Sequence, residues 1–131
     1  MPITQTIQFS CSPADVYRAL TTSAAFASAT GAPADIAADE GGAFSCFGGQ
    51  ITGRHVELSP DQRIVQAWRA GPWPEGQYSI VSFDIAPSDG GATLTMEHAG
   101  YPDAMGEHLE GGWHAMYWKP LQAHLGGAPA G

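Results

Sequence analysis

The residue of this chain best equipped for chemistry is His98. It closes an alternation in which Leu94, Met96 and His98 share one face of an extended segment while Thr93, Thr95 and Glu97 take the other. Trp68 and Phe83 stand on two earlier extended segments, and Trp113, Met116 and Tyr117 fall on one arc of a later helix. Brought together, Trp68, Phe83, Met96, His98, Trp113, Met116 and Tyr117 would line an apolar pocket with a single polar group on its wall, the usual composition of a small-molecule site. The same side chains would equally well close a core, since an aromatic stripe at helical spacing does that too. Volume decides between the two, and a sequence does not carry volume.

Other chemistries find weaker support. An acid–base pair would need His98 beside Glu110 or Glu97, yet Glu97 points away from His98 in a flat strand, and Glu110 reads as a solvated helix position. His108, His114 and His124 are spaced six and ten apart, so no two imidazoles from that helix meet on one metal ion. Cys11 and Cys46 lie in or beside strands with no neighbouring His to lower a thiol pKa, and the chain has no Gly-x-Ser-x-Gly elbow. Gly48-Gly49 and Gly90-Gly91 read as turns, because no helix follows either pair to make a phosphate loop. No motif asks for a cofactor or a metal. A protein interface is a separate option, with Trp73, Pro74 and Tyr101 as candidate anchors: Trp73, set between Pro72 and Pro74, is expected to be exposed or clamped by its prolines, or with equal weight folded back over the sheet edge.

Charge narrows the partners. The net charge is −8, and the five Lys plus Arg are scattered singly, so no basic stripe exists to neutralise a run of phosphates. Nucleic acid and anionic membrane surfaces are therefore not expected as partners, and no apolar run approaches the ~20 residues of a spanning helix. Two unpatterned cysteines and the absence of a signal-like N-terminus fit a reducing, cytoplasmic location. The length suits one domain, expected over residues 1–125 with 126–131 as a disordered tail, and the wide apolar arc of the last helix allows a monomer or a homodimer.

The elements that would position these side chains are legible in order. Ile3, Ile7 and Phe9 alternate with polar residues as a half-buried strand. Ser12-Pro13-Ala14-Asp15 then gives an N-cap, a proline at the first helical position and a first-turn acid. A second short helix is expected around Ala24 to Ser28. From Pro33 to His98 the pattern has period two with turns about every ten residues, an antiparallel meander. A long helix follows from Asp103 or Ala104 to about Leu125, with Met105, Leu109, Trp113, Met116, Tyr117 and Pro120 on its apolar arc and Leu121, Leu125 and Trp118 extending that arc round the side. Gly111 beside Gly112 costs about 1 kcal/mol relative to alanine and predicts a bend or fray there. The class is α+β: a curved antiparallel sheet of six or seven strands wrapped around the final helix.

Several runs together resemble a known family. They are Gly41-Gly42-Ala43-Phe44-Ser45-Cys46-Phe47-Gly48-Gly49-Gln50-Ile51-Thr52-Gly53, Arg63-Ile64-Val65-Gln66-Ala67-Trp68-Arg69, Trp73-Pro74-Glu75-Gly76, Gly112-Trp113 and Tyr117-Trp118-Lys119-Pro120-Leu121. In this order, from Ile3 to Leu125, they are similar to the activator of heat shock protein 90 ATPase family, in its single-domain form, within the START-like helix-grip superfamily. The resemblance implies a sheet gripping the C-terminal helix and two small helices after the first strand. It brings no catalytic residue set. The expected function is non-enzymatic binding of a small apolar or amphipathic molecule between sheet and helix. The alternatives are a stress-related co-chaperone contacting heat shock protein 90 through the Trp73 loop, or a cleft enzyme of hydrolase or cyclase type.

Overall fold

Alternating side chains at the N-terminus make β1 (Ile3–Phe9), which buries Ile3, Gln5, Ile7 and Phe9 and turns Thr4, Thr6 and Gln8 outward. The computed structural model describes residues 2–71 and 73–126. Ser12 caps α1 (Pro13–Thr21), its Oγ accepting the Asp15 N–H at 3.2 Å, so one of the free amides at the helix start finds a partner. Helix α2 (Ser23–Thr30) ends at Gly31, whose left-handed φ of 73° is the glycine stop signal. It is longer at both ends than the Ala24–Ser28 expectation. The Ser23 hydroxyl accepts the Ile36 N–H at 2.7 Å and ties α2 to the sheet.

The meander follows as β2 (Ala34–Ile36), β3 (Ala43–Cys46), β4 (Ile51–Ser59), β5 (Arg63–Ala70), β6 (Ser79–Ser88) and β7 (Gly91–Ala99). The seven strands form one sheet in the order β1-β7-β6-β5-β4-β3-β2, every pair antiparallel. The first strand therefore joins the last, and α1 and α2 fill the connection between β1 and β2. Between His55 and Glu57 the β4–β5 register slips, so Val56 is the extra residue of a bulge that bends the sheet. Gly53 is needed nearby for a different reason: a Cβ there would lie 1.9 Å from the Ala67 carbonyl oxygen and 2.7 Å from the Phe44 ring.

The C-terminal helix lies against the inner face of the sheet. After a 3-10 turn (Asp103–Met105) it runs as α3 (Gly106–Gly112), a π-helical stretch (Trp113–Trp118) and α4 (Lys119–Leu125). The bend or fray expected at Gly111-Gly112 is replaced by this widening, which begins at the next residue. Gly112 keeps helical angles. Pro120 supplies a cause, since it has no N–H to give to the preceding turn and its ring crowds the carbonyl four residues back. The Lys119 N–H reaches five residues back, to the His114 oxygen. The wider turn also shifts which side chains face inward: Trp113, Tyr117, Trp118 and Leu121 are buried, whereas Met116 is 46% exposed. At the far end the Gly126 carbonyl accepts the Ser10 N–H at 2.8 Å, tying the helix end to β1. The rest of the tail expected at 126–131 lies outside the described residues.

Gly53→Ala is expected to lower stability by about 2 kcal/mol or more, because the added methyl must push β4 off β5. Urea unfolding checks this; a midpoint within error of wild type would show that the close approach is relieved without cost.

Candidate functional site

Helix and sheet meet at a continuous set of rings and hydrogen bonds. Trp113 stacks on Trp68 of β5 (centroids 5.3 Å apart) and on Trp118 (5.6 Å), while Phe83 of β6 meets both Trp113 and Trp118 edge-on. Aromatic pairs at these distances add to the apolar area they bury. Behind them the Trp113 indole N–H donates to His98 Nδ1 at 3.1 Å. An indole nitrogen only donates, so Nδ1 carries no proton and Nε2 must carry it. That proton goes to Ser79 Oγ at 2.7 Å, and the Ser79 hydroxyl donates in turn to the Trp68 carbonyl at 2.8 Å. Every direction in the relay requires a neutral imidazole. Burial pushes the His98 pKa down to about 4, consistent with that requirement.

A second polar strut stands beside the first. Gln5 of β1 accepts the Trp118 indole N–H at 2.7 Å and donates to the Glu110 carbonyl at 3.1 Å, so a buried glutamine uses both ends of its amide on the helix. The Trp68 indole N–H approaches the Tyr117 hydroxyl at 3.4 Å, and burial holds the Tyr117 phenol well above its ordinary pKa.

In front of this layer lies a cleft of about 1240 Å³ between the helix and the β4–β5 end of the sheet. Its inner wall is Trp68, Trp73, Trp113 and Tyr117; Phe47 and Ile51 form the sheet side; Glu107, His108 and Gln50 are its polar lining residues. Gly111, Gly112 and Ala115 give the helix a small-residue floor there, and a Cβ on either glycine would meet no atom within 4 Å.

The predicted residues thus separate into two layers. Trp68, Trp113, Met116 and Tyr117 line the cleft, whereas Phe83, Met96 and His98, each no more than 1% exposed, stand behind the wall. The partners of His98 are Trp113 and Ser79 rather than a carboxylate. Glu97 is exposed on the opposite face, and it is the backbone carbonyl of Glu110 that enters a bond. The interface candidates move as well. The Trp73 side chain is folded inward, 4% exposed and 5.6 Å from the Trp68 ring, with Arg69 clamping its loop through the Trp73 and Pro74 carbonyls at 3.0 and 3.2 Å. Pro74 stays exposed, and Tyr101 is half-buried with its ring 5.2 Å from His98.

Sequence reasoning passed over Phe47. It adopts a left-handed φ of 55°, costly for an aromatic residue, and its ring meets Phe26 and Tyr117 at 5.6 and 5.5 Å. An aromatic residue directly before Gly48-Gly49 was the available signal. His55 was also passed over: it is 1% exposed, packs on Phe44, and neither ring nitrogen has a partner among the described residues. Burial lowers its pKa too. The thiols are unactivated: burial raises Cys11 and pushes Cys46 up to about 12. Among the described residues no three His, Cys, Asp or Glu gather as a metal site, and no helix is long and apolar enough to cross a membrane.

Comparison with known proteins places this arrangement. Residues 10–126 match the family model described as Activator of Hsp90 ATPase homolog 1-like protein. The human "Activator of 90 kDa heat shock protein ATPase homolog 1" is 33% identical over 118 residues, covering 90% of this chain and 35% of that protein. The chain thus spans about a third of the length of the curated relatives it matches. Among solved structures, an HSP90 activator from Plasmodium falciparum superposes with a TM-score of 0.90 at 23% identity, over 98% of each chain. A protein of Chromobacterium violaceum superposes at 0.79 with 30% identity, over 97% of this chain and 98% of its own.

The neutral relay has a pH consequence. With the His98 pKa near 4 in the folded chain and about 6.5 unfolded, the unfolded state binds the extra proton between those values. Stability from this group is complete above about pH 6.5 and falls by roughly 3 kcal/mol as the pH drops to 4. His55 acts in the same direction. Urea midpoints across this range are expected to fall less steeply for His98→Gln, whose amide can still accept from Trp113 and donate to Ser79. Equal slopes for variant and wild type would show that His98 is not the titrating group.

Proposed function

Because the chain belongs to the family of Activator of Hsp90 ATPase homolog 1-like proteins, we propose that it is a binding module taking a small apolar or amphipathic guest in the cleft between the C-terminal helix and the β4–β5 end of the sheet. The observation that carries this reading is the cleft itself, about 1240 Å³ walled by Trp68, Trp73, Trp113 and Tyr117. That is slightly above the ~300–1,000 Å³ of typical ligand sites. Two further features support it. The indole N–H groups of Trp68 and Trp113 are already bonded to Tyr117 and His98, so the wall offers ring surface to a guest without leaving a buried donor unpaired. Glu107 at the lining and a net charge of −8 disfavour an anionic guest.

A second reading rests on the relatives' names. The human relative is described as an activator of the 90 kDa heat shock protein ATPase, and by that similarity this chain would contact a chaperone of the same type. Trp73 as a direct anchor would then require the Arg69 clamp to release its loop. The exposed Pro74 is the part of the proposed contact already at the surface.

Titration with the neutral fluorophore N-phenyl-1-naphthylamine tests the first reading. Saturable binding is expected, and Ala115→Trp, which places an indole over the cleft floor, should weaken it by about tenfold or more while leaving the urea midpoint unchanged. Absence of binding, or indifference to Ala115→Trp, would reject the cleft as the site. For the second reading, ATP turnover by a purified heat shock protein 90 should rise on addition of the full chain; an unchanged rate at saturating chain would remove it.

A further inference from the structure

The outer face of the sheet holds a feature that the cleft does not account for. Of the five Lys and Arg residues, three stand on that face of two adjacent strands. Arg54 of β4 pairs with Ala67 of β5, which pairs with Ile80 of β6. Arg63 and Arg69 share the outward parity of Ala67, opposite to buried Ile64, Gln66 and Trp68. Arg63 is neutralised by Asp84, with Glu57 beside it at 3.8 Å. Arg54 and Arg69 have no carboxylate partner among the described residues. Arg54 donates to the Gly41 carbonyl at 2.9 Å, and Arg69 to the Trp73 and Pro74 carbonyls.

Between these two guanidiniums lies an apolar strip, bordered on the Arg63 side by the carboxylates of Glu57 and Glu97. Val56, Tyr78 and Ile80 are 55%, 51% and 50% exposed, three of the four large hydrophobic residues exposed among those described; the fourth, Met116, lies in the cleft. The bulge brings Val56 to the surface, and the Arg69 guanidinium sits 5.8 Å over the Tyr78 ring. Half-buried Val65 and Ala67 fill the ground between them. Exposed apolar side chains gathered in one place mark interaction surfaces, and aromatic and arginine residues are the usual anchors of such surfaces.

We propose that this face docks an acidic protein segment, one that sets a large apolar side chain on Ile80 and Val56 and presents carboxylates to Arg54 and Arg69. Charge complementarity selects the occupant. On a chain of net charge −8, these are the positions where an acidic partner would be attracted rather than repelled. A second copy of this chain is the other occupant of such a face, and concentration-dependent self-association that is lost in Arg54→Glu, with no response to an acidic peptide, would assign the face to it. Two guanidiniums are also too few to hold a run of phosphates against the charge of the rest of the molecule. The proposal does not depend on what fills the cleft.

The test uses the full chain, isotopically labelled, and short peptides with Glu-Leu-Asp-Phe-Glu at the centre and Gly-Ser on either side. Amide shifts are expected on the outward residues of β4, β5 and β6, with an affinity that falls as salt is added. Arg54→Glu and Ile80→Ser should each weaken binding by about tenfold, the loss of one anchor, with unchanged urea midpoints. Arg69 is left intact because it also holds the Trp73 loop. A counterpart peptide with Lys at the acidic positions should not bind. Equal binding of the Lys peptide, shifts confined to another surface, or no binding of the acidic peptide would overturn the proposal. So would Arg54-dependent binding of phosphatidylserine vesicles with no response to the peptide, which would assign the face to a lipid surface.

Discussion

A hydrogen bond from the Trp113 indole to an unprotonated His98 nitrogen joins the C-terminal helix to the sheet, and much of the interior follows from it. It fixes the imidazole tautomer, which fixes the direction of the bond to Ser79 and sends the serine proton to the Trp68 carbonyl. Three strands and the helix are thereby held in one register by groups that would each be expensive to bury alone. A protonated imidazole would set two donors face to face at Trp113. The residue that looks most catalytic in the sequence is structural for that reason: both ring nitrogens are used in holding helix to sheet, and the aromatic wall stands between it and the cleft.

The fold was legible because each local signal agreed with the next. Period-two alternation marked the first strand and the meander from Pro33 to His98, Ser12-Pro13 marked the first helix, and the wide apolar arc of the last helix asked for the curved sheet that the resemblance also implies. What escaped was a departure from ideal geometry. A wheel drawn at 3.6 residues per turn centres the apolar arc on Met116 and Pro120 and leaves Trp118 and Leu121 at its side; the π stretch from Trp113 to Trp118 turns through more residues and brings those two fully inside. Pro120 and the Gly111-Gly112 pair were visible as disruptions. Whether a helix answers a disruption by kinking, fraying or widening depends on what its side chains pack against, and here two tryptophans five residues apart both find the sheet.

The candidate site was legible in composition but not in depth. Of seven side chains assigned to one pocket, four line the cleft and three lie behind it. Sequence parity gives the face of a strand on which a side chain stands, but Trp68, Phe83, Met96 and His98 all share the inner face and differ only in how far along the sheet the helix covers them. Trp73 was open for a different reason. A tryptophan between prolines reads equally as an exposed anchor or as a side chain folded back over the sheet edge until the guanidinium that clamps its loop is known.

Arg69 consequently belongs to both sides of the sheet. Its position on β5 puts it on the outer surface over Tyr78, and its donors reach the loop whose indole closes the cleft. The bonds involved are to neutral carbonyls at 3.0 and 3.2 Å, and a carboxylate brought to the same fork would form a stronger, charge-assisted pair. Wall and outer face are therefore not mechanically independent. The interior relay through His98 contains no such shared group: its donors and acceptors are buried, and all belong to the helix or to strands β5, β6 and β7. The helix and sheet are thus joined by directional bonds that are wholly buried, whereas the Trp73 loop is held by its own backbone bond to Ala70, by the packing of its indole on Trp68, and by a surface arginine that a partner can reach.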